Sequence, residues 1–372
     1  MKICKRLFII FILSKLVLAE SVSVHFEIIS RNMAKDSTLY ICGNQELLGN
    51  WNPAGLALQK INDTLWTTTL SLPKNTPVEY KFTQGSWATE PLDERGNPFS
   101  NFQLIAHSDT TIIHRLSHWK TQQSTETGTI IHHRNLRSEG LLPRDIHVWL
   151  PPDYNIHINR RYPVLYMQDG QNIFDSKTAS FGTEWQADET ADSLIRAGLI
   201  EPLIIVAIDN TAQRTPEYSY TETGQCYREF IINRVKPFVD KNYRTIPDRN
   251  HTAVGGSSLG ALVAFIFLWE HNQVFSKAIC MSPAFKIEDF DAVTPVRTYT
   301  GRKKDITLYI DNGGIDLERE LQHGVDEMLK ALREKEYIDG KDYFWVWDKN
   351  AAHNEAAWRK RLPSALIFLF GN

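Results

Sequence analysis

The sequence predicts an α/β domain with a mostly parallel sheet, preceded by a small β-sandwich domain. Short alternating strands without helical periodicity occupy residues 20–120, whereas apolar strands alternate with helical patterns in residues 121–372. With 372 residues, the chain is long enough for more than one domain. The two patterns therefore predict two domains of different construction.

Residues 1–19 have the pattern of a signal peptide. Lys2, Lys5 and Arg6 form a positive stretch, an apolar stretch follows, and Ala19 is among the small residues that suit cleavage. An uncleaved membrane anchor is the alternative, but the apolar run is short for a bilayer span of about 20 residues. The sequence therefore favours a cleaved leader, no membrane span in the mature chain, and a secreted or periplasmic protein.

Residues 20–120 contain short segments in which apolar and polar residues alternate. These segments are VSVHFEII, STLYICG, TLWTTTLSL and VEYKFTQ, separated by turn signals such as KNTP and GNWNPAG. The next residues, 121–135, begin with a polar stretch rich in Thr and Ser and are interpreted as a linker. The β-sandwich is accordingly expected to end near residue 120.

The remaining chain alternates apolar strand segments with helical patterns. The strand segments are DIHVWLP, PVLYMQD, PLIIVAID, HTAVGG, KAICMSP, ITLYIDN and DYFWVWD. The helical patterns are EWQADETADSLIRAG, CYREFIINRVKPFVDKNY, LGALVAFIFLWEH and LERELQHGVDEMLKALREK. This alternation predicts a mostly parallel sheet covered on both faces, with an active site at the carboxyl ends of its strands.

Composition and charge exclude several classes of protein. The net charge of -3 provides no field that would attract nucleic acid or an anionic membrane. Removal of the leader would leave three scattered cysteines, Cys42, Cys226 and Cys280, which allow at most one disulfide bridge. The sequence has no CxxC or HExxH pattern, so it indicates no metal site.

The segment AVGGSSLGAL places two serines between a predicted strand and a predicted helix. The pattern G-x-S-x-G fits one register, in which Ser258 is central and Ser257 is its neighbour. Flanking glycines let the strand and the helix pack closely around a strained turn that exposes a nucleophile. A glycine-rich loop with a helix-capping serine is the alternative, but the strand before and the helix after favour Ser258 as a nucleophile.

Two backbone amides are candidate donors to an oxyanion. Leu259 lies at the start of the helix, where amide groups have no partner within the helix. A second amide is expected after an earlier strand, in PVLYMQDGQNIFD. There Gly170 permits close approach of the backbone, and Gln171 would present its N–H.

A serine nucleophile needs a base and an acid that orients the base. In hydrolases with such a turn the chain order is serine, acid, histidine. His353 follows the segment DYFWVWD and precedes the last helix, so it is the candidate base; a helix-capping or surface histidine is the alternative. Asp316 is the preferred acid and Asp311 the competing one, although Asp316 also suits a helix N-cap.

The C-terminal half resembles the esterase D-like branch of the α/β-hydrolases, which includes enterochelin and feruloyl esterase-like proteins. The matching segments are VWLPPDY, YPVLYMQDGQNIFD, IIVAIDNTAQRTPEY, VKPFVDKNYRT, GGSSLGA, LYIDNGGID and AAHNEAAW. The resemblance implies an α/β-hydrolase fold and a Ser-His-Asp hydrolase of bulky or carbohydrate-linked esters, with Ser258, Asp316 and His353 at the catalytic positions. It also places three residues near the acyl pocket: Asn210, Arg214 and Tyr218.

The N-terminal region resembles the starch-binding carbohydrate-binding modules of family 20. The matching residues are Gly43, Leu48, Gly49, Asn50, Trp51, Ala54, Leu58, Trp66, Leu72 and residues 79–82. The resemblance implies that Trp51 and Trp87 stack on sugar rings and that Lys81 completes the binding site. For Trp51 the alternative is a packed turn residue, and Trp66 is expected in the core.

The sequence therefore predicts a secreted serine esterase that removes acyl groups, such as acetyl or feruloyl, from a carbohydrate. His353 would take the proton of Ser258, an acyl-enzyme would form, and water would release it without any cofactor. The expected partners are a polysaccharide or an acylated glycan. Two alternatives stay open: a hydrolase of siderophore or other non-sugar esters, and a non-catalytic glycan-binding protein.

Overall fold

The protein is described by a computed structural model that covers residues 20–31, 33, 37–94, 97–120 and 124–372. The predicted signal peptide, residues 1–19, lies outside these described residues. Contacts divide the chain into two compact units, residues 1–122 and 123–372. Within the described ranges, no helix is both long and apolar enough to cross a membrane.

The N-terminal unit is a β-sandwich. Its strands are β1 (Ser21–Ser30), β2 (Tyr40–Gly43), β3 (Leu56–Ala57), β4 (Gln59–Lys60), β5 (Leu65–Pro73), β6 (Pro77–Thr83), β7 (Pro91–Leu92), β8 (Phe102–Ile105), β9 (Thr110–Leu116) and β10 (His118–Trp119). One sheet has the order β4-β5-β1-β9 and the other β3-β2-β6-β8, while β7 pairs with β10. The predicted sandwich is thus confirmed.

Alternation along the strands of this unit builds one apolar core. In β1 the side chains of Val24, Phe26 and Ile28 are fully buried, whereas the residues between them are partly exposed. These residues share a cluster with Phe82 from the second sheet. Trp66 is only 5% exposed and belongs to the same cluster, as predicted.

The second unit is built on an eight-stranded, mostly parallel sheet. Its strands are β11 (Thr129–Ser138), β12 (Leu141–Leu150), β13 (Val164–Gln168), β14 (Ile204–Ile208), β15 (Thr252–Ser257), β16 (Lys277–Met281), β19 (Thr307–Asn312) and β20 (Tyr343–Trp347), with a separate hairpin of β17 (Lys286–Ile287) and β18 (Phe290–Asp291). The order is β11-β12-β14-β13-β15-β16-β19-β20, and only β11 and β12 are antiparallel to their neighbours. The predicted α/β-hydrolase fold is confirmed.

Helices cover both faces of this sheet. They are α1 (Ala187–Arg196), α2 (Arg214–Glu217), α3 (Glu222–Phe230), α4 (Lys236–Asn242), α5 (Leu259–Glu270), α6 (Val293–Thr298), α7 (Leu317–Glu334) and α8 (Glu355–Phe370), with a π-helical turn at Ile231–Val235 between α3 and α4. Ten successive residues of α5, 260–269, are buried, because the core surrounds this helix on all sides.

The strand order positions a crevice at the carboxyl ends of the parallel strands. The two strands that follow β13 along the chain lie on opposite sides of it in the sheet, β14 on one side and β15 on the other. Such a reversal leaves an open crevice beyond the strand ends, because the connecting segments depart in opposite directions. The turns after β13, β14 and β15 all lie beside this crevice and carry the residues described next.

The boundary of the predicted linker differs from the structure. Residues 129–135, interpreted there as part of a linker, form the first part of the edge strand β11, whose hairpin with β12 closes at Glu139 and Gly140. β11 is an edge strand with most of its side chains exposed, so its polar residues have the composition of a linker. Cys42, Cys226 and Cys280 are free thiols, so the structure contains no bridge among them.

Candidate active site

Ser258 occupies a sharp turn between β15 and α5. Its backbone has φ 56° and ψ −122°, a conformation that is costly for any residue with a side chain. The glycines that flank the turn are required by close packing: a Cβ on Gly256 would lie 2.7 Å from the carbonyl carbon of Gly260. A Cβ on Gly260 would lie 2.9 Å from Oδ2 of Asp169. The geometry is that of a nucleophile elbow.

His353 lies on the loop between β20 and α8 and faces the same cavity as Ser258. Its side chain is 15% exposed, and its ring packs edge-on against Trp358 with centroids 5.0 Å apart. Nδ1 of His353 lies 3.4 Å from Oε1 of Glu318. This distance is long for a hydrogen bond, but catalytic hydrogen bonds are often loose before substrate binds.

Glu318 is the carboxylate that the structure places against His353. It lies in the first turn of α7, is fully buried, and accepts hydrogen bonds from Oγ of Ser282 at 2.7 Å and from the N–H of Gly313 at 3.1 Å. Burial opposes its ionisation, but His353 and Ser282 more than offset this effect and lower the pKa of Glu318. The group is therefore an ionised partner for the imidazole.

The two aspartates considered as the acid occupy other positions. Asp316, the preferred one, is exposed and precedes α7 at the N-cap position, but its side chain makes no capping hydrogen bond. Asp311 is fully buried in β19 and pairs with Nε of Arg361 at 3.0 Å. Burial raises the pKa of Asp311 to about 6, even though Arg361 acts in the opposite direction. No described contact joins either aspartate to His353.

Ser282 connects the groups behind the imidazole. It is fully buried, and its backbone has a positive φ of 43°. Its hydroxyl donates to Glu318 and accepts from Nε1 of Trp358 at 2.9 Å and from Nη2 of Arg361 at 3.0 Å. One hydroxyl thereby fixes the carboxylate, the tryptophan beside His353 and the arginine that holds Asp311.

The two predicted oxyanion donors lie on the expected turns. Leu259 is the first residue of α5, so its amide has no acceptor within the helix. Gln171 belongs to a 3-10 turn, Gly170–Asn172, directly after β13. Gly170 is required there, because a Cβ would lie 2.5 Å from the backbone nitrogen of Ile208. Asn172 lines the cavity, whereas the side chain of Gln171 accepts a hydrogen bond from the backbone of Asn210.

Asp169 forms hydrogen bonds with all three residues predicted for the acyl pocket. Nε and Nη2 of Arg214 donate to its carboxylate at 2.7 and 2.8 Å, and Nδ2 of Asn210 donates at 2.6 Å. Burial alone would lower the pKa of Arg214, but Asp169 raises it well above the ordinary value. Tyr218 is fully buried beneath this group, and its hydroxyl accepts from the Asp169 N–H at 3.2 Å.

The cavity that unites these residues has a volume of about 700 Å³. It is lined by Asp169, Asn172, Ser180, Phe181, Thr183, Asn210, Arg214, Ser257, Ser258, His353, Asn354, Glu355, Ala356 and Trp358. Phe181 is 67% exposed at its edge, and Trp358 is a buried wall. Tyr218 is not among the lining residues. The space and its aromatic walls suit an acyl group of several atoms beside the serine hydroxyl.

The sequence analysis did not select Glu318, Asp169 or Ser282. The helical period could have indicated that Glu318 is buried, because it lies three residues before Leu321 and seven before Val325, on the buried face of α7. Asp169 follows a buried strand at the predicted crevice, a position that often holds functional side chains. Ser282 follows β16 in the same way, although a lone serine there gives no indication of its partners.

In the N-terminal unit the structure brings two predicted carbohydrate-binding residues together. The rings of Trp51 and Trp87 lie with centroids 6.4 Å apart at 41°, and both are partly exposed. Lys81, which lies on β6 near Trp87 in sequence, forms an ion pair with Glu90 at 2.9 Å, and Glu90 also pairs with Lys120. Burial opposes ionisation of Glu90, yet these lysines lower its pKa. Lys81 is thus held by a neighbouring carboxylate.

Two families of known domains match the chain. Residues 142–369 match the family described as putative esterase, and this match covers more than half of the chain. Residues 21–95 match the family described as starch binding domain. The two matches fall in the two compact units and agree with the resemblances drawn from the sequence.

Curated relatives have low identity. The chain is 19% identical over 243 residues to the uncharacterized protein YbbA of Bacillus subtilis, covering 60% of this chain and 91% of that protein. It is 27% identical over 135 residues to an endo-1,4-beta-xylanase/feruloyl esterase of Xylanibacter ruminicola, covering 34% of this chain and 18% of that protein. This chain therefore spans only a small part of the second relative.

Solved structures share the fold. A ferulic acid esterase aligns with a TM-score of 0.55 at 22% identity, over 65% of this chain and 98% of that chain. The enterobactin esterase FES from Shigella flexneri aligns with a TM-score of 0.54 at 15% identity, over 95% and 94% of the two chains. At these identities the likeness shows the fold and leaves the substrate to be argued from the site.

Proposed function

The chain belongs to the esterase family and is a carboxylic ester hydrolase, and we propose that it is a serine esterase that removes acetyl or feruloyl groups from a carbohydrate. The observation that carries this proposal is that Ser258 and His353 line one cavity, with the buried carboxylate of Glu318 next to Nδ1 of His353.

In the proposed reaction, Oγ of Ser258 attacks the ester carbonyl carbon while Nε2 of His353 takes its proton. Glu318 stays ionised and stabilises the imidazolium through Nδ1, which faces Oε1 of Glu318 at 3.4 Å. The imidazolium then protonates the departing alcohol oxygen, and an acyl-enzyme is left on Ser258. Water, deprotonated by the same histidine, attacks that ester and regenerates the serine.

The developing negative charge on the carbonyl oxygen requires fixed donors. The amide of Leu259 lies at the start of α5, and the 3-10 turn Gly170–Asn172 would supply a second amide. Loss of a single oxyanion donor in a serine hydrolase typically costs about 10²–10³ in kcat. These two backbone segments therefore carry a substantial part of the expected rate enhancement.

Two observations support an acyl-decorated carbohydrate as the substrate. The cavity of about 700 Å³ has the aromatic side chains Phe181 and Trp358 in its walls, which suit a planar acyl group. The match of residues 21–95 to the starch binding domain supports polysaccharide binding by the N-terminal unit. The paired rings of Trp51 and Trp87 would supply the surface for stacking on sugars.

The test compares wild type with Ser258→Ala on p-nitrophenyl acetate, methyl ferulate and a catecholate ester. We expect hydrolysis of acetate or ferulate esters, and a loss of about 10³-fold or more in Ser258→Ala. Ser193→Ala, on the exposed side of α1, is the matched control and should keep wild-type rates. A wild-type rate in Ser258→Ala would refute the mechanism, and a higher kcat/KM for the catecholate ester would refute the proposed substrate.

We also propose that the protein is exported, with residues 1–19 removed as a signal peptide. The positive start, apolar run and Ala19 in the sequence support this location. Expression with its own leader, followed by N-terminal sequencing of the secreted or periplasmic fraction, tests it. An intact Met1 on all of the protein would contradict the proposal.

A further inference from the structure

A second group of acidic side chains lies at the start of α1, outside the groups assigned to catalysis. Glu184, Asp188 and Glu189 each offer one carboxylate oxygen, and these oxygens all lie within 4.8 Å of one another. Glu184 is 2% exposed and Asp188 fully buried, while Glu189 is partly exposed. Three carboxylates this close repel one another strongly unless something positive lies between them.

Each of these carboxylates has one oxygen engaged by the segment that precedes β11. Oγ1 of Thr125 donates to Oε1 of Glu184. The N–H of Thr127 donates to Oδ2 of Asp188 at 2.6 Å, and Oγ1 of Thr127 donates to Oε1 of Glu189 at 3.3 Å. The segment thereby fixes the orientation of all three side chains.

The other oxygen of each carboxylate has no partner. Glu184 Oε2, Asp188 Oδ1 and Glu189 Oε2 are all shielded from solvent and accept no hydrogen bond. A buried carboxylate oxygen without a donor is costly and is rare in folded proteins. Three such oxygens in one cluster, two of them on side chains that are more than nine-tenths buried, indicate a site built to receive a ligand that accepts lone pairs.

No positively charged side chain among the described residues balances these three carboxylates. Among the described residues, none of the three carboxylates forms an ion pair with Lys, Arg or His, and Asp175 adds a further negative charge near Glu184. Asp188 and Glu189 lie within hydrogen-bonding reach of each other when one of them is protonated, so either a shared proton or a cation from solution balances the cluster.

We propose that Glu184, Asp188 and Glu189 bind a divalent cation of the calcium class. Ca²⁺ prefers oxygen ligands, tolerates irregular geometry, and can keep water among its ligands. The group offers no histidine or cysteine, so it does not match sites for zinc or copper. The spacing motifs used in the sequence analysis do not include this pattern.

The bound cation has a structural role beside the active site. It joins the segment Thr125–Thr127 to α1, and Glu184 directly follows Thr183 of the cavity wall. Trp185 packs on Trp358 with ring centroids 5.7 Å apart, and Trp358 contacts His353. Cation binding therefore stabilises the part of the cavity wall that holds Trp358, the neighbour of His353. The cation itself does not contact the reacting atoms.

Calorimetric titration of the chelator-treated full chain with CaCl2 tests this assignment. We expect one binding event in wild type and a loss of affinity of at least about 100-fold in Glu184→Gln/Asp188→Asn, which removes two ligand charges. Glu222→Gln, in the exposed first turn of α3, is the matched control and should bind like wild type. At 100 times Kd, CaCl2 should raise the Tm of wild type by about 5–10 °C.

Two results would overturn the assignment. One is the absence of both heat and a Tm shift in wild type up to about 10 mM CaCl2, ten times the weakest affinity of extracellular calcium modules; protons would then neutralise the cluster. The other is equal affinity for MgCl2. The wild-type titration decides even if the double variant fails to fold, and Ser258→Ala should bind Ca²⁺ normally, which separates this result from the esterase assay.

Discussion

Nδ1 of His353 faces Oε1 of Glu318 at 3.4 Å, and the carboxylate is fully buried at the start of α7. Its place on the loop after a strand had favoured Asp316, two residues earlier, which is exposed. A carboxylate that orients a catalytic imidazole works best when it is shielded from water and ionised, and Glu318 meets both conditions. The predictions below start from this pair.

Replacement Glu318→Gln should lower kcat for p-nitrophenyl acetate by about 10²- to 10⁴-fold, because the amide cannot stabilise the imidazolium. Asp316→Asn is the matched control, since it removes a carboxylate from the same turn, and its kcat should equal that of wild type. Steady-state kinetics on the two variants decide the matter. A large loss in Asp316→Asn with none in Glu318→Gln would return the role of acid to Asp316.

The stability of the protein should depend on pH through the same carboxylate. Surrounding groups lower the pKa of Glu318 below its ordinary value of 4.5, so the folded state binds the proton more weakly than the unfolded state. Its contribution is complete above pH 4.5 and is lost as pH falls through the lower folded pKa. Urea unfolding from pH 7 downward should show a steeper loss for wild type than for Glu318→Gln; parallel curves would contradict this account.

Ser282→Ala should weaken both stability and catalysis, because Ser282 positions Glu318 and satisfies donors of Trp358 and Arg361. We expect a loss of about 1–3 kcal/mol in free energy of unfolding and a 10- to 100-fold decrease in kcat, about the cost of a misplaced catalytic group. Ser276→Ala, at the opposite end of β16, removes a buried hydroxyl away from the cavity and should leave kcat unchanged. An unchanged kcat in Ser282→Ala would show that Ser282 does not position the site.

Phe181→Ala should raise KM for methyl ferulate by about tenfold, because the ring at the cavity edge would stack on the aromatic acyl group. KM for p-nitrophenyl acetate, whose acyl group is a single methyl, should change much less. Phe344→Ala, a partly exposed ring on the edge strand β20, is the control for general loss of an aromatic side chain. Equal increases in KM for both substrates would place Phe181 outside the acyl site.

Trp51→Ala should weaken binding to insoluble starch at least about tenfold, which corresponds to ~1.4 kcal/mol of stacking. The reason is the ring pair that Trp51 forms with Trp87 on the N-terminal unit. Trp347→Ala removes a half-exposed tryptophan from the other unit and should leave sedimentation with starch unchanged. Full retention of binding by Trp51→Ala would favour a packing role for that residue.

Sequence reasoning located the elements that depend on local pattern. The strand before Ser258 and the helix after it could be predicted because the glycines and the apolar segments lie within a few residues of one another. The loop of His353 could be predicted in the same way, from the order of strand and helix. These signals are short-range, and tertiary packing did not change them.

Long-range contacts were beyond such reasoning. The choice between Asp316 and Glu318 depends on which side of α7 faces the sheet, and the preference for a loop residue competed with the helical period that marks Glu318 as buried. Asp169 draws its role from Arg214, which lies 45 residues later in the chain. Only the folded sheet brings the turns after β13 and β14 together.

The burial of residues 260–269 in α5 affects how readily different parts of the C-terminal unit open. A helix enclosed by the core opens to amide hydrogen exchange only when the unit unfolds as a whole, whereas surface segments open locally. Ser258, the proposed nucleophile, is thus attached to a helix that we expect to exchange slowly, whereas Phe181 at the cavity edge is largely exposed. The same fold therefore holds Ser258 on a buried helix and places Phe181 on the surface at the cavity edge.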